Sequence, residues 1–292
     1  MRIFNLGSIN VDHLYQVNRL PKPGETLSSQ EYLVNMGGKG LNISVAAHRS
    51  GADVRHVGLV GMGDLTARKM IRDLGLNDQL IKEAPVPTGH AIIYLDSQSE
   101  NCIVIHGGAN QCFSEETIRS SLALAGPGDW LVMQNETNAN EIGIRVARNL
   151  GMKIALVAAP FDAATMPEQI ECVDLVSMNQ TEKELFEASV SKSIKEVEGP
   201  EFLITYGKSG ATFLSGATEI HLASHRVDAL DTTGAGDTFF GVFLANYVRG
   251  TSPDISLKKA NAAGALMVQR KGAASVIPAK ADIDAFLRAL RS

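Results

Sequence analysis

Cysteine is scarce in this 292-residue chain, and the three present, Cys102, Cys112 and Cys172, are odd in number and lack CxxC spacing. That excludes a disulfide scaffold and a zinc knuckle, and it fits free thiols in a reducing compartment. Long apolar runs are missing as well. No window reaches the length needed to span a bilayer, and "MRIFNLGSINVDH" has too short an apolar run for a signal peptide and meets Asp12 at once. The expected location is the cytoplasm. No dense Lys/Arg run occurs and the formal net charge is −5, so neither nucleic acid nor a membrane is expected as a partner. Several site fingerprints are also absent. There is no GxxxxGK followed by Ser or Thr, no HExxH and no GxSxG, and "GMGDLT" and "GAGDTF" lack the third glycine of a dinucleotide motif. His221 and His225 are four apart, but "EIHLASHRV" reads as extended, which argues against a metal pair.

What remains is ordinary globular composition, 45% hydrophobic and 20% charged, in a chain long enough to bury a core without staples. Short apolar runs alternate with helical stretches. "RIFNLGS", "VRHVGLVG", "WLVMQ", "KIALVAA", "VDLVSMN" and "EFLITYG" fit strands buried on both faces of a parallel sheet. "LNISVAAHRSG", ending at Gly51, and "ANEIGIRVARNLG" read as helices between them. The alternation predicts a layered α/β fold. Two parts break the rhythm. Residues 14–36 hold no good helix, and 88–106 read as a hairpin, "HAIIYLD" and "NCIVIH" around a polar turn. Both fit a small antiparallel sheet standing off the main one. From residue 234 onward the chain is mostly helical. No repeat or low-complexity linker appears, so residues 1–292 are expected to form one main domain with that small sheet inserted.

The most informative stretch is "DTTGAGDTFFGVFLANY", Asp231 to Tyr247. Gly234 and Gly236 permit backbone turns that gather amides into one concavity, and the following helix adds its unpaired N–H groups and positive dipole end. Asp237 stands on the first turn beside this anion hole. A carboxylate there can take a proton from a hydroxyl while the hole stabilises transferring phosphate oxygens. Alternatively, Asp237 is a helix-start carboxylate that serves the dipole alone. "NMGGKGLNISVAA" is a second glycine turn, in which Gly37, Gly38 and Gly40 let backbone approach a ligand and Asn42 could reach sugar hydroxyls; a plain strand-to-helix turn is the alternative. Asn10 and Asp12 follow the first strand, where ligands bind in open α/β sheets. An amide and a carboxylate on one side suit a vicinal diol, and a polar loop is the competing explanation. Glu136 occupies an equivalent strand end. Asn179 and Glu182 have the spacing of a helix N-cap and its capping-box partner.

Taken in this order, the motifs resemble the ribokinase-like (phosphofructokinase-B type) sugar kinases, and within that family the ribokinase branch. "GGKGLN" and "DTTGAGDTF" look like the family's two signatures. "GSINVDH", "PKPGET", "PTGHAII", "SENCIVIHGGAN", "MQNE", "SMNQTE", "ITYGKSG" and "RKGA" extend the similarity over nearly the whole chain. The resemblance implies a three-layer α/β/α fold with a mostly parallel sheet and a small antiparallel β lid, from segments of approximately 14–36 and 88–106. It implies ATP-dependent phosphorylation of a sugar hydroxyl, with D-ribose going to D-ribose 5-phosphate. Asp237 would be the base, and Gly234, Ala235 and Gly236 the anion hole. Asn10, Asp12, Gly38, Lys39, Asn42 and Glu136 would hold the sugar. Asn179 would lie near the triphosphate, Thr205, Gly207 and Gly210 along the nucleotide, and Asn261 beside the adenine. Glu182 would act on Mg2+. Asp231 and Thr233 would hold a monovalent cation, usually K+, with carbonyls of Met267, Arg270 and Gly272. Lids in such proteins pair to form a homodimer.

The chain departs from the family pattern in places. "VAAPFDAA" lacks the usual asparagine, Gln180 replaces a common glutamate, and Val276 stands where a serine often faces the cation. Another sugar or a ribonucleoside is an alternative acceptor. An aromatic lid wall would favour a nucleoside, and the lid offers Tyr15, Tyr32 and Tyr94. A sugar-binding sensor on a kinase scaffold is the alternative from another class.

Overall fold

The computed structural model describes residues 1–98 and 100–290. Its N-terminal half contains β1 (Ile3–Leu6), β2 (Asn10–Gln16), β3 (Glu31–Gly37), α1 (Lys39–Arg49), β4 (Val54–Gly61), α2 (Leu65–Asp73), β5 (Ile81–Ala84), β6 (Gly89–Leu95), β7 (Asn101–His106) and α3 (Glu115–Ser121). There follow β8 (Trp130–Gln134), α4 (Asn140–Asn149), β9 (Lys153–Val157), α5 (Met166–Glu171), β10 (Leu175–Asn179), α6 (Gln180–Val190) and β11 (Glu201–Thr205). The chain continues with β12 (Ala211–Ser215), β13 (Thr218–Leu222), α7 (Ala235–Tyr247), α8 (Pro253–Met267) and α9 (Lys280–Ala289).

Among the described residues the large sheet runs β13-β12-β11-β10-β9-β8-β1-β4-β5. Its strands pair in parallel except at the β11–β12–β13 edge. The parallel strands are the continuous apolar runs seen in the sequence, because helices cover both faces. On one face, Ile118 of α3, Val146 of α4, Ile170 of α5 and Phe186 of α6 join a single core cluster. On the other, Ile43 of α1, Phe240 and Phe243 of α7 and Leu257 of α8 pack with Trp130 and Phe213. Burying one such side chain stabilises by about 1.5–3 kcal/mol. α7 is apolar around most of its circumference because α1 and α8 enclose it. The three layers expected from the sequence are therefore present.

Sequential strands depart from their neighbours between β1 and β8, the point where the order reverses. The carboxyl ends of those strands open a crevice there, and ligands of open α/β sheets bind in such crevices. The small sheet stands beside it in the order β3-β2-β6-β7. Its outer pairs are antiparallel and its central pair, β2 with β6, is parallel. The parallel pair follows from the long excursion through α1, β4, α2 and β5 that separates the two strands. The sheet starts at Asn10 rather than near residue 14, so Asn10 and Asp12 lie in a strand and not in a loop. Ser99, in the polar turn of the expected hairpin, lies outside the described residues.

Candidate active site

The first strand delivers the floor of the site. After β1 the chain turns at Gly7 and Ser8. The Ser8 hydroxyl donates to Glu136 Oε2, just past β8, and accepts the Gly40 amide at 3.1 Å. The Lys39 amide donates to the same Glu136 oxygen at 3.0 Å. These bonds tie two strand ends to the start of α1. Behind them Gln134 Nε2 donates to Asn5 Oδ1 at 2.8 Å, and Asn5 Nδ2 donates to the Gly40 carbonyl at 2.7 Å. The first turn of α1 is thus fixed by side chains from the sheet.

Steric demand explains the glycines of this turn. A Cβ on Gly37 would come within 2.1 Å of Asp12 Oδ2, and one on Gly40 within 2.4 Å of the Ser8 nitrogen. Gly37 is the cross-strand neighbour of Asn10, two residues from Asp12 on the same face of β2. Asp12 is pushed up to about 6 by burial, with the Glu136 charge adding.

Gly234 caps the start of α7, with φ of 67° and ψ of 7°. That left-handed conformation suits glycine. The Ala235 amide turns back to the Thr232 carbonyl at 3.2 Å. The amides of Gly236 and Asp237 are first-turn donors without an intrahelical acceptor. A Cβ on Gly236 would meet nothing within 4 Å. Asp237 is buried, and Asn42 Nδ2 donates to its Oδ2 at 2.9 Å. Burial pushes Asp237 up to about 6, against the opposing pull of Lys39 and the Asn42 bond. Burial lowers Lys39, but the carboxylates of Asp237, Glu136 and Glu182 outweigh it and leave the ammonium above its ordinary value. One cation therefore faces three carboxylates contributed by α7, the β8 end and α6.

Two cavities meet at the Gly234–Asp237 turn. One, of about 210 Å³, is lined by Lys39, Asn179, Glu182, Gly234 and Asp237 among others. The second, of about 360 Å³, lies between Thr205, Gly207, Gly210, Asn261 and Val268. Thr205, Thr232, Ala235 and Gly236 line both. The larger volume falls in the range of small-molecule pockets. Asn179 and Glu182 form the capping box expected for them, at 2.9 and 2.8 Å, and they also face the smaller cavity. Burial raises Glu182, opposed by the Asn179 amide and Lys39. Asn261 Nδ2 is engaged with the Leu222 and Ala223 carbonyls at 3.3 and 3.1 Å.

The Asp231 group is farther along the turn. Its Oδ1 accepts the Thr233 amide at 2.9 Å and its Oδ2 the Gly272 amide at 3.0 Å. Burial raises Asp231, but these bonds outweigh it and hold the carboxyl below its usual range. The Met267 carbonyl accepts the Arg270 amide at 3.0 Å.

The tyrosines of the small sheet do not face this site. Tyr15 lies on the face of β2 opposite Asp12, in register with Tyr32 and Tyr94, and its ring sits 4.9 and 5.9 Å from theirs. Ser8 and Asn110 are site-building residues that lie inside the quoted motifs "GSINVDH" and "SENCIVIHGGAN" but were not among the expected site residues. Their partners lie about a hundred residues away in sequence, and no local pattern marks such a pairing.

A model of the pfkB family of carbohydrate kinases matches residues 2–280. The chain is 35% identical to a ribokinase of Haemophilus influenzae, over 97% of each. It is 30% identical to a deoxyribokinase of Salmonella typhi, over 98% of this chain and 99% of that one. Among solved structures, Arabidopsis thaliana ribokinase complexed with ribose and ATP superposes with a TM-score of 0.82 at 27% identity, covering 98% of each chain. A match of this extent, together with the architecture and the two glycine turns, decides the matter: the chain belongs to the pfkB family of carbohydrate kinases.

Proposed function

We propose that this protein transfers the γ-phosphoryl group of ATP to a hydroxyl of D-ribose, giving D-ribose 5-phosphate. The observation that carries the reading is the buried Asp237 carboxylate on the first turn of α7, which lines the smaller cavity directly after Ala235 and Gly236 of the wall shared with the larger one. Asp237 takes the proton of the acceptor hydroxyl. The Gly236 and Asp237 amides and the helix dipole stabilise charge on the transferring group. Asn10, Asp12, Gly38, Lys39, Asn42 and Glu136 hold the sugar, and Lys39 supplies the cation nearest the reacting oxygens. ATP occupies the larger cavity, along Thr205, Gly207 and Gly210, with its base beside Asn261. The placement of the lid tyrosines away from Asp12 supports a bare sugar over a ribonucleoside. The Salmonella relative supports 2-deoxyribose as a second acceptor to be tested.

The residues present fit the inorganic partners of such a reaction. Glu182, half-buried beside Asn179 and the phosphate-side cavity, offers the hard oxygen that Mg2+ takes alongside substrate phosphates. Held there, Mg2+ would neutralise charge on the phosphates. The ionised Asp231, with carbonyls of Thr233, Met267, Arg270 and Gly272, offers an all-oxygen set for K+. We also propose that the small sheet is a lid on a single domain spanning residues 1–292, and that two lids form a homodimer. The face of β2 that carries Asp12 continues outward as Leu14, beside Leu33 and Ile93, and Ile103 and Ile105 of β7 extend it. Leu33, Ile103 and Ile105 are exposed in the single chain, and a second copy would cover them. The cytoplasm supplies ATP and suits three free, exposed cysteines.

The test is ADP production from ATP and Mg2+ with ribose, 2-deoxyribose, fructose and ribonucleosides, in K+ and in Na+. Ribose-dependent turnover is expected. Ribose binding by calorimetry without turnover in any salt would overturn the kinase reading in favour of a sensor.

A further inference from the structure

Asn110 lies in the short 3-10 turn Gly108–Gln111 that follows β7, and it is buried. Its Oδ1 accepts the Ile9 amide at 2.9 Å, and its Nδ2 donates to the Ile9 carbonyl at 3.1 Å. A backbone N–H can only donate and a carbonyl can only accept. These two bonds therefore leave one orientation for the Asn110 amide. The other Nδ2 hydrogen points at Asn10, whose facing atom lies 2.8 Å away. Opposite a donor, that atom must be the oxygen. The Asn10 amide is thus turned with Oδ1 toward Asn110 and its NH2 group away from it. No described residue accepts from that NH2 group, and it is not one of the sealed polar atoms. Space for the contact comes from Gly89, the β6 neighbour of Asn10. A Cβ there would lie 2.2 Å from Asn110 Nδ2 and 2.6 Å from Asn10 Oδ1.

We propose that Asn110 is a positioning residue that sets the hydrogen-bond polarity of the sugar site and thereby selects hydroxylated over deoxy acceptors. It presents Asn10 as a donor beside the ionised Asp12, which only accepts. A sugar hydroxyl answers both, since its oxygen accepts and its hydrogen donates. A deoxy carbon answers neither and leaves buried groups unpaired, which is the strongest form of discrimination open to a binding site. The inference rests on the proposed role of Asn10 and Asp12 as sugar ligands.

Asn110→Asp keeps the side-chain size and the acceptor for the Ile9 amide. It sets a second oxygen against the Ile9 carbonyl, which loses its donor, and against Asn10 Oδ1, so the Asn10 amide flips and presents its oxygen to the sugar. The expected result is a KM for D-ribose raised roughly ten- to a hundredfold with a smaller change in kcat. The preference in kcat/KM for D-ribose over its 2-deoxy or 3-deoxy analogue should fall toward that of Asn10→Ala. On the Asn10→Ala background, Asn110→Asp should change that preference no further, since the two residues act as one unit. Asn10→Asp is the second variant. It keeps the Asn110 bonds, accepts from Asn110 Nδ2, and offers the sugar an oxygen in place of NH2. Loss of preference is expected there too. Equal losses on ribose and both deoxy analogues with Asn110→Asp, or an unchanged preference with Asn10→Asp, would overturn the proposal. Wild-type protein silent with ribose would instead defeat the proposed function.

Discussion

The two glycine turns that open α1 and α7 read alike in the sequence and differ in the structure. At α1 the glycines make room for protein. Gly37 clears the Asp12 carboxylate, and Gly40 lies against the Ser8 backbone. At α7, Gly236 is surrounded by open space. A glycine with nothing near it in the first turn of a helix gives up the better helix propensity of alanine. The clearance there serves something other than the protein's own packing, and the two cavities meet at that spot. One turn is a joint and the other is a socket.

Substitutions test that contrast. The largest effect is expected from Asp237→Asn, which preserves shape and removes the proposed base. Steady-state ADP release should fall roughly a hundred- to ten-thousandfold, and a loss below about tenfold would remove Asp237 from that role. Next is Gly40→Ala, where overpacking should cost about 1–3 kcal/mol in urea unfolding. An unchanged midpoint would show that the α1 turn yields easily. Gly236→Ala should do the reverse. It should stabilise by up to about 1 kcal/mol while lowering kcat, because the added methyl enters the space of the transferring group. A destabilised Gly236→Ala would erase the distinction between the two turns.

Acid provides a gentler probe. Asp237, raised to about 6, is ionised at neutral pH and protonated at pH 5, so kcat/KM should fall as pH drops through about 6. Stability moves the other way. A carboxyl raised in the folded state favours folding below its unfolded pKa, and that contribution is lost as pH rises through the folded value. Asp12 and Asp237 both belong to this class. Asp12→Asn should therefore raise Tm more at pH 7.5 than at pH 4, and equal shifts at both would count against strained ionisation of Asp12.

Much of the frame was legible because parallel strands covered on both faces leave continuous apolar runs. WLVMQ and KIALV became β8 and β9 with little change. Less legible was whatever depends on distant partners. Asn10 and Asp12 lie in a strand only because β3 and β6 flank them. The β12–β13 edge, which reverses the sheet direction, carries no signal separating it from another crossover. Asp237 was recognised by its turn, but its bond to Asn42 spans 195 positions, and Ser8 and Asn110, though inside quoted motifs, carried no sign of their distant partners.

The distribution of aromatic rings has an optical consequence. The one tryptophan, Trp130, is 4% exposed in the core of the large sheet, near Tyr247. Three of the five tyrosines, Tyr15, Tyr32 and Tyr94, form a stack on the small sheet. Emission excited at the red edge of tryptophan absorption therefore reports on the integrity of the core. Tyrosine emission is weighted toward the small sheet, with Tyr206 and Tyr247 contributing from the main body. The chain carries two sets of built-in dyes, one in the core of the large sheet and one mostly on the small sheet, and they can be followed in the same cuvette without a label.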